Sequence, residues 1–268
     1  MRAIDISRQS TGRALTIDEC HKVKEDGNDI LIVGLFDGAT VNPYARETLE
    51  NAQQVDGLYT AVYIALAPGY EGRLAVDRLS VLSFPTIDKL NFVSIDCELD
   101  NITLEQINSA LVRVVGGYKQ RPVIYSAYWY WMSRFNNPTV YGASGLKIPL
   151  WNAYYDNDPD YDFSKLPFGG WTYELLVGEQ YQGTTTYPGS DPAFDVDYSE
   201  FKEEWIEAGP GSLNGLQQLA QAWHDDMSDT IKGAAALHNG VPTSIGLATY
   251  GQAQEAKAQR WATILGGK

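Results

Sequence analysis

Two patterns of apolar and polar positions alternate along the first 150 residues. Short, nearly continuous apolar runs such as Ile30-Leu31-Ile32-Val33 are typical of parallel strands buried on both faces. Such strand-like runs cover residues 2–6, 30–35, 58–66, 92–98, 123–125 and 148–152. Helical spacing of apolar residues covers the segments between them, 16–24, 46–54, 76–82, 103–118 and 127–135. This order predicts an α/β fold with right-handed crossovers.

Local signals at the segment ends support the same architecture. Thr16-x-x-Glu19 and Thr103-x-x-Gln106 are the residues of capping boxes, which mark helix starts. After Trp151 the chain becomes rich in Gly, Tyr and Thr, and residues 170–177 and 180–186 are interpreted as short antiparallel strands. A parallel (β/α) barrel closed by irregular antiparallel strands is the simplest assembly. Such a barrel would gather the residues that end its strands at one mouth.

A composition change near Gly209-Pro210-Gly211 predicts a domain boundary. Residues 1–208 would form the barrel domain, and residues 209–268 a helical C-terminal tail. Within the tail, helical spacing places apolar residues on one stripe: Leu216, Leu219, Trp223, Met227 and Ile231. One interpretation is that this stripe packs back on the barrel domain. The other, which the Gly-Pro-Gly linker favours, is that residues 212–237 serve oligomerisation with a second copy or docking to a phage-particle protein.

Composition and charge exclude several classes of partner. The net charge of −14 and the lack of a basic patch argue against binding to nucleic acid. No run approaches the ~20 apolar residues of a membrane-spanning helix, so no membrane insertion is expected. Because the first residues are strand-like, no conventional secretory signal is expected there. The two cysteines, Cys20 and Cys97, are interpreted as buried free thiols, which fits synthesis in a reducing cytosol.

The candidate chemistry lies in acidic residues that follow apolar runs. In Asp96-Cys97-Glu98, a continuing strand would place the two carboxylates on one face, about 6–7 Å apart. Glycoside hydrolysis needs a carboxyl pair on this scale. Asp5 and Asp197 follow or lie in other apolar stretches. A single Asp after a strand usually forms part of a turn or caps a helix. Several of them at the ends of different strands predict the floor of an active site. The three histidines show no metal-ligand spacing, so neither a metal nor a cofactor is expected.

Six runs, in this order, carry a resemblance to a known family: Ala3-Ile4-Asp5-Ile6-Ser7, Val93-Ser94-Ile95-Asp96-Cys97-Glu98, Pro122-Val123-Ile124-Tyr125-Ser126, Ile148-Pro149-Leu150-Trp151-Asn152-Ala153-Tyr154, Gln180-Tyr181 and Val196-Asp197-Tyr198-Ser199-Glu200-Phe201. Together they resemble the glycoside hydrolase family 25 lysozymes, the Chalaropsis type common among phage endolysins. The resemblance covers roughly residues 2–202. It implies a flattened TIM-like barrel completed by antiparallel strands.

The resemblance also implies an activity and a set of acidic site residues. The reaction is cleavage of the β-1,4 bond between N-acetylmuramic acid and N-acetylglucosamine in peptidoglycan, without a cofactor. Glu98 is similar to the proton donor, and Asp96 to the residue that orients the 2-acetamido group or stabilises the oxocarbenium-like centre. Asp5 and Asp197 are similar to the flanking acids. We expect neighbouring carboxylates to raise the pKa of the general acid.

Substrate contacts implied by the resemblance are Tyr63, Tyr125, Trp151, Tyr154, Gln180 and Asp37. Two departures from the family pattern concern the same region. The second strand usually ends in a Lys-Ala-Thr-Glu-Gly-like segment, of which only Asp37-Gly38 remains here. The third usually carries Tyr-His-Phe and here is Tyr63-Ile64-Ala65.

The leading functional hypothesis is therefore a muramidase. It would reach the cell wall from the host cytoplasm on lysis, or act as part of a phage virion. The altered second and third strands motivate an alternative, as does the tail, which is neutral because its four basic residues balance its four acidic ones. In this alternative the chain is a structural or adhesive virion protein that keeps the barrel as a carbohydrate-binding module. A deacetylase or amidase is disfavoured, because such enzymes usually need metal ligands.

Overall fold

The computed structural model describes residues 1–138, 148–159, 167–190 and 192–209. Eight strands close into a barrel in chain order. They are β1 (Arg2–Ile6), β2 (Ile30–Phe36), β3 (Tyr59–Ala65), β4 (Leu90–Asp96), β5 (Pro122–Ser126), β6 (Leu150–Ala153), β7 (Leu176–Thr186) and β8 (Asp195–Phe201). Strands β1 to β7 pair in parallel, and β8 is antiparallel to both β7 and β1. The prediction of a TIM-like barrel is confirmed.

Helices connect the parallel strands. They are α1 (Arg8–Thr11), α2 (Ile17–Glu25), α3 (Ala45–Ala52), α4 (Gly72–Val76), α5 (Phe84–Asp88), α6 (Leu104–Val112), α7 (Tyr128–Phe135) and, after β8, α8 (Glu203–Glu207). Both capping boxes are confirmed, because the side chains of Thr16 and Thr103 accept hydrogen bonds from the backbone N–H groups of Glu19 and Gln106. Each satisfies a donor that the first helical turn leaves free.

Several element predictions need correction. Residues 76–82 are the end of α4 followed by a 3₁₀ turn over Asp77–Val81. The helix predicted over 103–118 is α-helical only to Val112 and continues as a π turn. Residues 170–177 and 180–186 are not two short antiparallel strands. Residues 176–186 form one long strand that is parallel to β6 and antiparallel to β8.

The predicted tail, with its stripe Leu216, Leu219, Trp223, Met227 and Ile231, lies outside the described residues. The domain boundary and the role of the tail therefore stay predictions.

The barrel interior is filled by large aromatic side chains. Phe92, Trp151 and Phe201 are fully buried, and the ring of Phe201 lies 5.3 Å from that of Phe92 and 5.5 Å from that of Trp151 between centroids. Gly178 makes this packing possible, since a Cβ there would lie 2.5 Å from the Phe201 ring. The interior is thus a solid core, and a ligand cannot enter the barrel beyond the ends of the strands.

Candidate active site

Three of the four predicted acids are placed by strands at the barrel mouth. Asp5 lies near the end of β1 and is paired in register with Asp197 of the antiparallel β8. Asp96 is the last residue of β4. Burial, and then the charges of Asp197 and Asp96, disfavour the ionised form of Asp5, so both of these carboxylates lie near it. The structure therefore brings these acids together, as the sequence predicts.

Glu98 reaches the same region by a different route from the one predicted. Strand β4 ends at Asp96, and the Asp96 Oδ1 accepts a hydrogen bond of 2.9 Å from the Glu98 backbone N–H. An aspartate whose side chain accepts a hydrogen bond from the backbone N–H two residues ahead forms a turn. The alternation of faces along β4 therefore does not extend to Glu98. The expectation that a strand sets the spacing of the pair is wrong. A turn closed by Asp96 holds the two residues together.

Burial gives Glu98 the properties of a proton donor. Burial, and secondly the charge of Asp96, raise the pKa of Glu98 to about 8. Its Oε1 is buried and has no hydrogen-bond partner among the described residues. Burial also raises the pKa of Asp96 to about 6, although the Glu98 N–H opposes this by stabilising the carboxylate. At neutral pH Glu98 is therefore protonated and Asp96 ionised. Burial, and not neighbouring charge as we expected, is the larger cause.

Asp5 and Asp197 line an open pocket beside this pair. Burial raises the pKa of Asp5, and the charge of Asp197 adds to the effect. Burial also raises the pKa of Asp197, while the backbone N–H of Thr184 opposes the shift by donating a hydrogen bond. The pocket has a volume of ≈ 320 Å³, and Tyr63 forms part of its wall. Asp96 and Glu98 do not line this pocket. Asp5, which lines it together with Asp197, is also affected by the charge of Asp96.

A buried glutamine connects Asp5 to two tyrosines. The Gln180 Nε2 donates to the Asp5 Oδ2 at 2.8 Å. Its Oε1 accepts from the hydroxyls of Tyr125 at 2.6 Å and Tyr155 at 2.7 Å. The two hydroxyls are themselves 3.0 Å apart. Because Gln180 is only 2% exposed, this network holds its members in one arrangement at the mouth.

The sequence reasoning missed Tyr155. Its ring is 53% exposed, and its hydroxyl interacts with the charges of Glu98, Asp197 and Asp5. The sequence does contain a signal for Tyr155. If the alternation of β6 continues beyond Ala153, the side chains of Trp151, Ala153 and Tyr155 lie on the same face. Tyr154 lies on the opposite face. Among the described residues, Tyr154 has no side-chain hydrogen bond to the network.

Trp151 lies deeper than its predicted place in the cleft. Its side chain is 1% exposed, and its Nε1 donates to the Ser199 Oγ at 3.1 Å. Its ring packs against that of Tyr125 at 4.6 Å between centroids. The prediction that it faces the cleft is wrong, because strand β6 carries it into the core below the mouth. Trp151 supports Tyr125 from beneath.

Tyr63 and Asp37 lie where β3 and β2 approach the mouth. Burial, and then the charges of Asp5 and Asp96, raise the pKa of Tyr63 well above its usual value, which places its hydroxyl among the acids. Gly34 makes room for this ring, since a Cβ there would lie 2.5 Å from the Tyr63 hydroxyl. Asp37 accepts hydrogen bonds from the backbone of Thr40 at 2.7 Å and pairs with Arg8 at 3.3 Å, so its carboxylate is engaged in a turn.

The described part of the chain contains no cluster of three or more His, Cys, Asp or Glu side chains that could hold a metal ion. Cys20 and Cys97 are both buried and free. Within the same residues, no helix is long and apolar enough to cross a membrane. The chemistry available at the mouth is that of carboxyl, amide and phenol groups.

Comparison with known proteins gives short matches among curated sequences. No family model matches the chain. Counting factor 45-1 of Dictyostelium discoideum is 36% identical over 90 residues, which is 33% of this chain and 27% of that protein. Probable GH family 25 lysozyme 3 of the same organism is 48% identical over 42 residues, which is 16% of this chain and 8% of that protein. The matches thus span about a quarter or less of these relatives' length.

Solved structures match over most of the described chain. The bacterial lysozyme from Streptomyces coelicolor has a TM-score of 0.60 at 15% identity, covering 79% of this chain and 97% of that one. A family 25 glycosyl hydrolase from Bacillus anthracis has a TM-score of 0.59 at 12% identity, covering 78% and 93%. The CTP1L endolysin has a TM-score of 0.53 at 18% identity, covering 77% and 68%.

The barrel is therefore of the TIM-like class used by glycoside hydrolases. Within this class, the chain has the fold of the glycoside hydrolase family 25 lysozymes, which include phage endolysins. The resemblance carried by the six sequence runs is confirmed at the level of the fold.

Proposed function

We propose that this protein is a muramidase that hydrolyses the β-1,4 bond between N-acetylmuramic acid and N-acetylglucosamine in peptidoglycan, with Glu98 as the general acid. One observation carries the proposal. A buried glutamate with its pKa raised to about 8 lies beside an ionisable aspartate at the mouth of a barrel with the family 25 fold. Glycoside hydrolysis requires such a pair, with one carboxyl protonated and the other ionised.

Proton donation is the role of Glu98. Its raised pKa keeps the carboxyl protonated at neutral pH, and its buried Oε1 has no competing partner among the described residues. When the glycosidic bond breaks, the proton passes to the leaving oxygen, so that the departing sugar leaves as a neutral alcohol. The Glu98 carboxylate that remains then accepts a proton from the water that completes hydrolysis.

Asp96 meets the positive charge that develops on the other side of the bond. With a pKa of about 6 it is ionised at neutral pH. A carboxylate there acts directly on the oxocarbenium-like centre or orients the substrate's 2-acetamido oxygen towards it. Both routes use the same ionised Asp96 and the same protonated Glu98.

The remaining mouth residues bind and orient the sugar. Asp5 and Asp197 line the open pocket with Tyr63, and Gln180 fixes Tyr125 and Tyr155. The half-exposed ring of Tyr155 offers a flat face to a pyranose ring. Asp37 and Tyr154 complete the proposed contacts at the rim, and Trp151 acts through Tyr125.

Turbidity loss of purified cell walls, with the appearance of new reducing ends, tests this function. The wild type should lyse the walls, and Glu98→Gln should lose about 10²–10⁴-fold of the rate, the usual contribution of a general acid. Glu47→Gln is the matched control, because Glu47 is exposed on α3. Equal inertness of wild type and Glu98→Gln, with both binding the walls, would overturn the enzymatic function.

A further inference from the structure

Among the described residues, no helix lies between β7 and β8 along the chain, so this part of the outer wall has no crossover helix of its own. Strand β8 is antiparallel to both neighbours: it forms a hairpin with β7, and it pairs with β1 from the start of the chain. In the register of β1 and β8, Asp5 and Asp197 face the mouth. The adjacent pair, Ile4 and Tyr198, therefore faces outwards. By the same alternation Arg2 lies on the outer surface.

A second pocket lies on this outer wall, with a volume of ≈ 490 Å³. Its lining shares no residue with the pocket at the mouth. One side is held in place by Tyr187, whose hydroxyl donates to the Asp26 Oδ2 at 2.7 Å and whose ring stacks on Phe194 with centroids 5.2 Å apart. The volume is within the range of about 300–1,000 Å³ typical of ligand sites.

Hydrogen-bonding groups without protein partners face this pocket. The hydroxyls of Tyr181 and Tyr198 and the side-chain amide of Gln182 line it and make no hydrogen bond within the described part of the chain. Tyr181 is only 8% exposed, so its ring is held in place where it lines the pocket. Hydroxyl and amide groups held in this way suit a ligand rich in hydroxyls.

Arg2 supplies a fixed positive charge to the same pocket. Its Nε donates to the Asn28 Oδ1 at 3.1 Å, and its Nη2 donates to the Asp26 backbone carbonyl. Its Nη1 has no hydrogen bond among the described residues. Burial raises the pKa of both Tyr181 and Tyr198. The Arg2 charge opposes this shift at both hydroxyls, while the weaker effects of Glu200 on Tyr181 and of Asp26 on Tyr198 add to it.

The balance of charge in this lining differs from that of the whole chain. The lining contains Arg2 and Lys22 against Asp26, and the Asp26 carboxylate is already bound by the Lys22 Nζ at 3.0 Å and by the Tyr187 hydroxyl. The chain as a whole carries −14. An anionic ligand is therefore repelled from most of the surface but meets free donors here.

We propose that this outer pocket binds a carboxylate-bearing amino sugar, an N-acetylmuramic acid unit of a glycan strand whose lactyl carboxylate carries no stem peptide, at a place separate from the barrel mouth. Arg2 pairs with the lactyl carboxylate, and Tyr181, Tyr198 and Gln182 bind the sugar hydroxyls and acetamido group. The identity of the sugar rests on the proposed function. A second attachment point would hold the protein on the wall between catalytic events.

Nuclear magnetic resonance of the full-length protein tests this site directly, with N-acetylmuramic acid as the probe. The backbone amide signals of Tyr181, Gln182 and Tyr198 should shift saturably. N-acetylglucosamine, which lacks the lactyl carboxylate, should shift them at least about tenfold more weakly, since a charge-assisted hydrogen bond is lost. Equal binding of the two sugars, or no shift at these amides, would overturn the proposal.

Two variants separate this site from a general effect on folding. Arg2→Gln should weaken N-acetylmuramic acid binding at these amides about tenfold, and Tyr198→Phe, which removes one oxygen, severalfold. Arg46→Gln is the matched control, because Arg46 is exposed on α3 and pairs only with Glu50 there. Unchanged affinity in both Arg2→Gln and Tyr198→Phe would contradict the assignment.

Hydrolysis distinguishes failure of this site from failure of the proposed function. Arg2→Gln should cleave a short soluble glycan, two disaccharide units long, at the wild-type rate but sediment less with walls whose stem peptides have been removed. If the wild type cleaves nothing, the proposed function fails, while the amide shifts still decide whether the outer pocket binds the sugar. If cleavage is normal and the amides do not shift, the outer site alone is overturned.

Discussion

Glu98 should contribute to the pH dependence of the protein's stability, and one substitution isolates its contribution from those of the other buried acids. The pKa of Glu98 is about 8 in the folded protein against an ordinary value of 4.5. Below pH 4.5 the carboxyl is protonated in both the folded and the unfolded chain and has no effect. Above it, the unfolded chain releases the proton while the folded protein keeps it up to about pH 8. The free energy of unfolding therefore falls as pH rises through this window.

The size of this effect follows from the two pKa values. Each pH unit between them lowers the free energy of unfolding by about 1.4 kcal/mol. Between pH 5 and pH 9 the loss amounts to about 4 kcal/mol, an upper limit because the Glu98 side chain keeps some contact with water. Glu98→Gln replaces the carboxyl by an amide that does not titrate, and so this variant should not show the loss.

Urea unfolding of the wild type and Glu98→Gln at several pH values, followed by tryptophan fluorescence, measures the difference. The variant should gain stability relative to the wild type by up to about 4 kcal/mol as pH rises from 5 to 9. Glu47→Gln, with its exposed carboxyl, should show a constant difference. A difference between Glu98→Gln and wild type that is also constant from pH 5 to 9 would refute the raised pKa and, with it, the physical basis for Glu98 as general acid.

Three further predictions concern catalysis and the mouth. The value of kcat/KM for wall hydrolysis should be greatest between about pH 6 and 8, because Asp96 protonates below this range and Glu98 ionises above it; a rate that rises steadily to pH 9.5 would contradict both roles. Gly34→Ala should displace Tyr63 and lower stability by about 1–3 kcal/mol with loss of activity, since the new Cβ would lie 2.5 Å from that ring; calorimetry and the turbidity assay check this, and an unchanged Tm and rate would refute it. Gln180→Leu should reduce kcat about 10-fold or more, because three buried hydrogen bonds are lost; wild-type kinetics would show that the network does not order the site.

Much of the fold follows from local signals in the sequence. Apolar runs such as residues 30–33 identify buried strands, and the capping residues Thr16 and Thr103 identify helix starts. The direction of β7 does not follow from the same signals. The side chains of a strand alternate in the same way whether its neighbour is parallel or antiparallel. Strand β7 is parallel to β6 and antiparallel to β8. Only closure of the barrel decides its pairing.

The sequence predicts which residues form the candidate site better than it predicts where their side chains lie. Periodicity shows which face of a strand a side chain occupies but not how deep along the barrel axis it lies. Trp151 and Tyr155 share a face, yet the structure buries the first in the core and leaves the second half exposed at the mouth. The Asp96–Glu98 spacing is visible in the sequence, but the side-chain hydrogen bond that ends β4 and turns the chain is not.

Analysis of the reducing ends released from purified peptidoglycan is the most direct test of the central claim. Walls digested by the wild type are reduced with borohydride, hydrolysed and examined by mass spectrometry. The account predicts the reduced form of muramic acid as the new end, and its release at least about a hundredfold more slowly by Glu98→Gln. Release of reduced glucosamine in its place, or equal release of muramic acid ends by Glu98→Gln, would contradict it.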